Sequence, residues 1–205
     1  PPPPPPLFFS TPPPPTPMLR SLVGSEMCIR DSILEKKKKD TDCPINKCVY
    51  EDLELLNKLE DILDDIEADR VSIYSFHNGG EFYSGKSMQK MSMSYEVVSN
   101  GTSRVQTERQ AIPVSACIAT LKPLMDAKSA FYPTLQKYPE SLCKVYLVED
   151  GVESTYQWSI LDLNGRAIGI LRIDFVKKQK KLSNKILDDL TLDVIKMPGY
   201  LESWR

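Results

Sequence analysis

Residues 154–163 and 166–176 are two apolar-rich runs separated by Asn164-Gly165, and this pair restricts the fold more tightly than any other part of the chain. Asn-Gly suits a two-residue type I′ turn, whose central residues both need positive φ. Such a turn pairs Leu163 with Arg166 and Trp158 with Leu171. Tyr156, Trp158, Ile160, Gly169, Leu171, Ile173 and Phe175 then share one face, while Leu161, Leu163, Ile168 and Ile170 share the other. With apolar residues on both sides, both faces of the hairpin are expected to be covered near its turn. A second run with period two lies at 91–98, where Met91, Met93, Tyr95 and Val97 alternate with Ser92, Ser94 and Glu96. Asn100-Gly101 closes it. Residues 71–76 read as a further strand, ended by the turn signal His77-Asn-Gly-Gly80.

Three segments have helical spacing. Across 50–68 the apolar positions are Leu53, Leu56, Leu59, Ile62, Leu63 and Ile66, opposite an acidic face. Across 113–127 they are Val114, Cys117, Ile118, Leu121 and Met125, with Pro113 in the first turn and Pro123 expected to kink or shorten the helix. The last helix starts after the N-cap Ser183, carries Ile186, Leu187, Leu190, Val194 and Ile195, and stops at Pro198-Gly199. Residues 102–110 read as a loop or a short edge strand. Residues 129–150 are mixed, with 144–148 the best candidate for order. Strands at both ends with a helix between them predict an α+β domain: an antiparallel sheet of five to six strands flanked by N- and C-terminal helices.

The first 32 residues do not belong to this pattern. They hold 11 of the 17 prolines, and residues 22–32 resemble a translated sequencing adapter. We set 1–32 aside as artefactual or disordered, read 33–47 as a linker, 48–200 as the domain and 201–205 as a tail. The natural N-terminus, with any membrane anchor it carried, is then expected to have been replaced by this segment. A net charge of −2 with no basic-aromatic clustering argues against nucleic acid, and no run of 18 apolar residues spans a membrane. The chain as given reads as cytoplasmic. Cys43 and Cys48 lack the histidine or cysteine partners of a zinc site, so no metal is expected. Cys117 and Cys143 read as buried thiols in a reducing compartment.

Residues 80–87, Gly-Glu-Phe-Tyr-Ser-Gly-Lys-Ser, match the phosphate-loop pattern G-x-x-x-x-G-K-[ST] at every specified position. A phosphate loop works only where a helix N-terminus follows, because the helix N–H groups hold the anion. Here the following residues have period two, and the best Walker B aspartate, Asp162, lies two residues before a turn. A nucleotide-binding protein using Gly80–Ser87 is therefore the alternative rather than the main reading.

Asp69-Arg-Val-Ser-Ile-Tyr-Ser-Phe-His-Asn-Gly-Gly80, the run from Lys86 to Val98, Ile112-Pro-Val-Ser115 and Asn164-Gly-Arg-Ala-Ile-Gly-Ile-Leu171 together resemble a GAF-like family common in phage and metagenomic sequences. The resemblance covers about 50–197. It implies a GAF- or PAS-like sheet, with a small-molecule pocket between the sheet and its covering loops and helices that form a bundle or homodimer interface. The implied function is a non-catalytic sensory or interaction module, in the host cytoplasm if phage-encoded. It transfers no cofactor, and no cyclic-nucleotide motif or bilin-linking cysteine is evident. His77, Asn78, Gly80, Tyr83, Lys86 and Tyr95 are the candidate ligand-binding residues, with no catalytic residue among them. His77 reads more simply as a loop-fixing ring than as a general base, because no paired nucleophile or carboxylate stands near it in sequence.

Overall fold

The computed structural model describes residues 44–81, 84–85, 87–176 and 181–201, with side chains from residue 49 onward. By packing the chain divides into Pro1–Lys47 and Cys48–Arg205. The fold described is that of the second unit, entered along a helix that runs from Pro44 across this boundary. The elements are α1 (Pro44–Asp65), β1 (Arg70–Glu81), β2 (Ser87–Val98), β3 (Ile112–Pro113), α2 (Ile118–Ala127), β4 (Ser129–Tyr132), α3 (Leu142–Glu149), β5 (Val152–Leu161), β6 (Ala167–Val176), α4 (Asn184–Lys196) and the short α5 (Pro198–Leu201). The strands form one six-stranded sheet in the order β3-β2-β1-β6-β5-β4, and every pairing is antiparallel. The α+β sheet read from the sequence is the fold observed.

Each face of the sheet carries its own core. On one, α1 and α4 cover Val71, Ile73, Val97, Tyr156, Trp158, Ile160, Leu171, Ile173 and Phe175. Leu55, Leu59, Ile62 and Leu63 of α1 are all buried there, each contributing roughly 1.5–3 kcal/mol by leaving water. On the other face, α2 and α3 cover Tyr74, Met91, Met93 and Ile170.

The switch between cores along β2 comes from a bulge. Ile73 pairs with Tyr95 but Tyr74 pairs with Met93, so Ser94 is one residue extra. The run therefore does not keep a single alternation. Met91 and Met93 face α2 and α3, whereas Tyr95 and Val97 join the core under α1 and α4.

Several local expectations are corrected. His77-Asn-Gly-Gly80 is strand rather than turn, because the ladder continues through His77↔Lys90 and Asn78↔Gln89 to Glu81↔Ser87. The stem of Lys90 packs over Gly79, where an added Cβ would lie 2.3 Å from it. In the β5–β6 turn only Gly165 has positive φ, at 74°. Asp162 closes that turn: its N–H donates to the Arg166 carbonyl (2.8 Å), and its Oδ1 accepts from the N–H groups of Asn164 (2.9 Å) and Arg166 (2.7 Å). The loop is thus one residue longer than a type I′ turn and does not pair Leu163 with Arg166. Leu163 projects into solvent, 97 % exposed, and Ile168 joins the core under α1 and α4, although Trp158↔Leu171 holds as expected.

Among the helices, α1 starts before residue 50. It buries Leu55, absent from the expected stripe, and leaves Leu53 exposed. Residues 114–117 form a 3₁₀ turn, so α2 begins only at Ile118 and continues through Pro123. Ile118 and Ile195 are exposed rather than core. Ser183 does cap α4, its side chain accepting from the Ile186 N–H.

Candidate functional site

Charged side chains are sealed under α2 and α3. Period two sends Arg70, Ser72 and Tyr74 of β1 to this side. The same parity sends Arg172 and Asp174 of β6, and Thr155 and Gln157 of β5, to meet them. Arg70 is 1 % exposed, with Nε 3.0 Å from Glu96 Oε1 and Nη1 3.5 Å from Asp150 Oδ2 and 3.8 Å from Asp174 Oδ2. Its Nη2 donates to the Ser103 carbonyl at 2.9 Å. Glu96 accepts in addition from the N–H groups of Val105 and Gln106, which fixes the loop after β2. Arg109, on that loop, reaches Asp150 Oδ1 at 2.5 Å and stacks over the Tyr146 ring at 4.2 Å. Arg172 Nε donates to Asp174 Oδ2 at 3.0 Å, while Thr155 donates to the other oxygen at 2.7 Å.

Between this cluster and the two covering helices is a cavity of about 20 Å³. Tyr74, Met91, Gln157, Ile170 and Arg172 form its floor, and Ile112, Thr120, Leu121, Tyr138, Cys143 and Tyr146 its walls and roof. The volume suits one water-sized molecule. Arg172 is 5 % exposed and lies 4.8 Å above the Tyr74 ring, and its Nη2 has no hydrogen-bond partner among the described residues. Burial pushes the Arg172 pKa down, but Asp174, Tyr74, Tyr138 and Asp150 together outweigh that and raise it overall, so the guanidinium stays charged. Burial pushes the Tyr74 hydroxyl up to about 12, opposed in part by the Arg172 charge, so it stays protonated as a donor. Tyr138 is also raised by burial, opposed by its bond from Gln157.

A groove of about 610 Å³ lies between the β5–β6 turn and α4–α5, lined by Trp158, Leu161, Leu163, Val194 and Ile195 among others. It is larger, yet its lining is mainly apolar and its Asp162 carboxylate is already held by Arg166. The smaller cavity is therefore the better candidate, because it holds buried polar groups that converge on one point.

The residues singled out from the sequence do not converge. Tyr83 and Lys86 lie outside the described residues. His77 is exposed, with Nε2 2.8 Å from Ser92 Oγ and Nδ1 3.4 Å from the Asn78 carbonyl. Ser92 Oγ also accepts from the Ala111 N–H at 2.8 Å, so this hydroxyl ties the His77 ring to the loop before β3. Asn78 accepts from Gln89 at 2.8 Å, and Gly80 has φ 105°. Tyr95 sits opposite Ile73, with its hydroxyl 2.5 Å from Asp52 of α1, on the core face rather than beside His77. From Ser87 the backbone is extended and paired to β1, so no helix N-terminus follows the phosphate-loop match. Arg70, Glu96, Asp150, Arg172 and Asp174 went unread in the sequence. Their signal was present: Arg172 and Asp174 alternate with Leu171, Ile173 and Phe175 in a hairpin whose two faces are both covered, which buries the charges.

Cys117 and Cys143 are buried as expected but are not thiols. They are joined in a disulfide, with Cα atoms 5.6 Å apart. That removes the ground on which a reducing compartment was read. Among the described residues no cluster fit for a metal ion occurs, and no helix is long and apolar enough to cross a membrane.

No protein-family model matches the chain, and no curated protein matches it in sequence. Solved structures do match in fold. A far-red cyanobacteriochrome photoreceptor superposes with TM-score 0.58 at 12 % identity, covering 88 % of this chain and 97 % of that one. The blue-light absorbing form of the Thermosynechococcus elongatus PixJ GAF domain gives 0.57 at 13 %, covering 80 % and 89 %. The phycoerythrobilin-bound GAF domain of a cyanobacterial phytochrome gives 0.56 at 14 %, covering 84 % and 94 %. The class defined is structural: this chain has the fold of GAF domains. Identities this low establish the fold alone.

Proposed function

We propose that the protein is a non-catalytic sensory module that holds a small, neutral, oxygen-bearing molecule under α2 and α3. The observation that carries this reading is the buried, unpartnered Nη2 of Arg172, a residue of the cavity floor. A buried donor left without an acceptor costs about 1–3 kcal/mol, which a carbonyl or hydroxyl oxygen recovers. Three guanidiniums, of Arg70, Arg109 and Arg172, face three buried carboxylates, of Glu96, Asp150 and Asp174. With the charges already balanced, an anionic ligand would bring an uncompensated buried charge, so a neutral one is favoured.

The fold comparison points the same way, since one of the similar structures is a phycoerythrobilin-bound GAF domain. A bilin is far larger than a 20 Å³ cavity, and Cys117 and Cys143 are taken up in their disulfide, so the ligand proposed here is small. The cavity supports this reading better than the outer half of the β1–β2 hairpin, where His77 and Asn78 already bond to Ser92 and Gln89.

Binding is read out through α1 and α4, which pack on the opposite face and expose Val49, Tyr50, Leu53, Leu192 and Ile195 for a homodimer contact. The test is a thermal-shift panel on the full chain, run with and without dithiothreitol, comparing neutral carbonyl compounds with carboxylates and nucleotides. Neutral compounds should raise Tm, and Arg172→Met should abolish the rise. A panel in which only nucleotides stabilise the protein would sink this reading.

A further inference from the structure

We infer that the Cys117–Cys143 disulfide is a redox-controlled latch on the cavity: oxidised, it holds the roof closed, and its reduction lets α3 swing away and admits ligand. The inference rests on the ligand-site reading above and adds its control.

The latch joins the two pieces of the roof. Cys117 ends the 3₁₀ turn leading into α2, and Cys143 is the second residue of α3 and itself lines the cavity. The two ends of α3 are held differently. At its C-terminal end Asp150 is bound to Arg109 and Arg70, and Tyr146 lies under the Arg109 guanidinium. These contacts run to the loop after β2 and to β1, and they do not depend on α2. At its N-terminal end, the disulfide and one hydrogen bond between the Thr120 and Ser141 hydroxyls, at 2.9 Å, tie α3 to α2. Only Cys143 and Leu147 of α3 are buried, while Val145 and Val148 are exposed. Cutting the disulfide therefore removes the covalent restraint on the end over the cavity, leaving there the Thr120–Ser141 hydrogen bond and the bond from Gln157 to Tyr138 just ahead of α3, and it leaves the far end as a hinge. Closed, the cavity admits one water-sized molecule, so any larger ligand needs this movement.

Reduction needs a dithiol. Its thiolate attacks one cysteine sulfur, the S–S bond breaks and a mixed disulfide forms. The reductant's second thiol then displaces that cysteine. Two electrons and two protons end on Cys117 and Cys143, and the reductant leaves as a disulfide.

The test compares the full chain with and without excess dithiothreitol, the thiols being counted under each condition. Amide hydrogen exchange is followed along α2, α3 and the sheet, and benzamide, a neutral carbonyl compound larger than the closed cavity, is titrated by NMR. Reduction should speed exchange in α3 by at least about tenfold while β1 and β6 keep their protection. Benzamide should shift signals around Arg172 only in the reduced protein. Cys117→Ser with Cys143→Ser should reproduce the reduced state without dithiothreitol. Should that variant fail to fold, the reversible change in the native chain decides alone. Equal exchange in both redox states, loss of protection throughout the sheet, or a disulfide that dithiothreitol leaves intact in the folded protein each overturn the latch. Local opening of α3 without benzamide binding upholds the latch and counts against the ligand reading.

Discussion

The two faces of the sheet are built from the same strands to opposite rules. Under α1 and α4 the contacts are leucine, isoleucine, valine and aromatic side chains, and the polar atoms that intrude are hydrogen-bonded, as Trp158 Nε1 is to Thr191. Under α2 and α3 six charged groups are sealed in, several of their nitrogens and oxygens lacking hydrogen bonds. An apolar face is non-directional, tolerates repacking and holds the domain together. A buried charge network gains little net stability but has one arrangement in which it balances. The first face suits a scaffold and the second suits a device whose state depends on what occupies it.

Breaking the network at its centre should produce the largest effect. Arg70→Met leaves Glu96 and Asp174 facing each other without their shared cation, at a cost of about 3–5 kcal/mol. Urea unfolding of the variant measures this. A loss under about 1 kcal/mol would mean that the charges are better hydrated than their burial indicates. On the opposite face Leu59→Ala, at a fully buried site, should cost about 2–5 kcal/mol through lost transfer and cavity terms. The comparison is sharpened by function: Leu59→Ala should lower Tm yet leave ligand-induced shifts intact, whereas Arg70→Met should reduce both. Equal loss of ligand response in the two variants would show that the faces do not divide the work.

The scaffold face was largely legible in the sequence because it obeys simple periods. Leu59, Ile62 and Leu63 recur at helical spacing, Tyr156, Trp158, Leu171, Ile173 and Phe175 alternate, and all are buried where expected. The device face was hardly legible. Its charges come from five separated segments that meet only after the strands are ordered, and Ser94 shifts β2 by one residue, which no alternation rule foresees. Turn residues cluster instead in the glycine-rich tract near His77, and propensity alone points there. There, strand pairing overrode turn propensity, since Lys90 and Gln89 continue the ladder opposite His77 and Asn78. Cys117 and Cys143, 26 residues apart, could not be paired by spacing alone. Closing a loop of that length is worth about 3–4 kcal/mol in chain entropy, on the scale of the Arg70 effect.

A smaller effect separates the faces by a single hydrogen bond. Tyr156 points its hydroxyl at the Leu182 N–H, 2.8 Å away, where the chain re-enters the scaffold ahead of α4. Tyr156→Phe keeps the ring stacked on Phe131 but leaves that buried N–H without its acceptor, for a loss of about 1–3 kcal/mol. Hydrogen exchange at Leu182 should rise with it. If instead the amides over the cavity in α3 respond, the two faces are coupled through β5, and the readout proposed through α4 gains a route.

The smallest effect belongs to Asp162, at the end of the sheet away from both cores. Burial pushes its carboxyl pKa up, but the N–H groups of Arg166 and Asn164 and the Arg166 guanidinium pull harder, so the net shift is downward. A carboxyl whose folded pKa lies below its unfolded one contributes stability that is present above the unfolded value and is lost as pH falls through the folded value. Arg166 is itself mostly exposed, and solvent screens its share. Asp162→Asn keeps one acceptor oxygen for the turn N–H groups and removes the titrating charge. Its urea midpoint should therefore fall slightly at neutral pH and decline less than the parent's through the acidic carboxylate range. Parallel decline in both proteins would show that the Asp162 carboxyl, and with it the turn, does not carry the acid sensitivity.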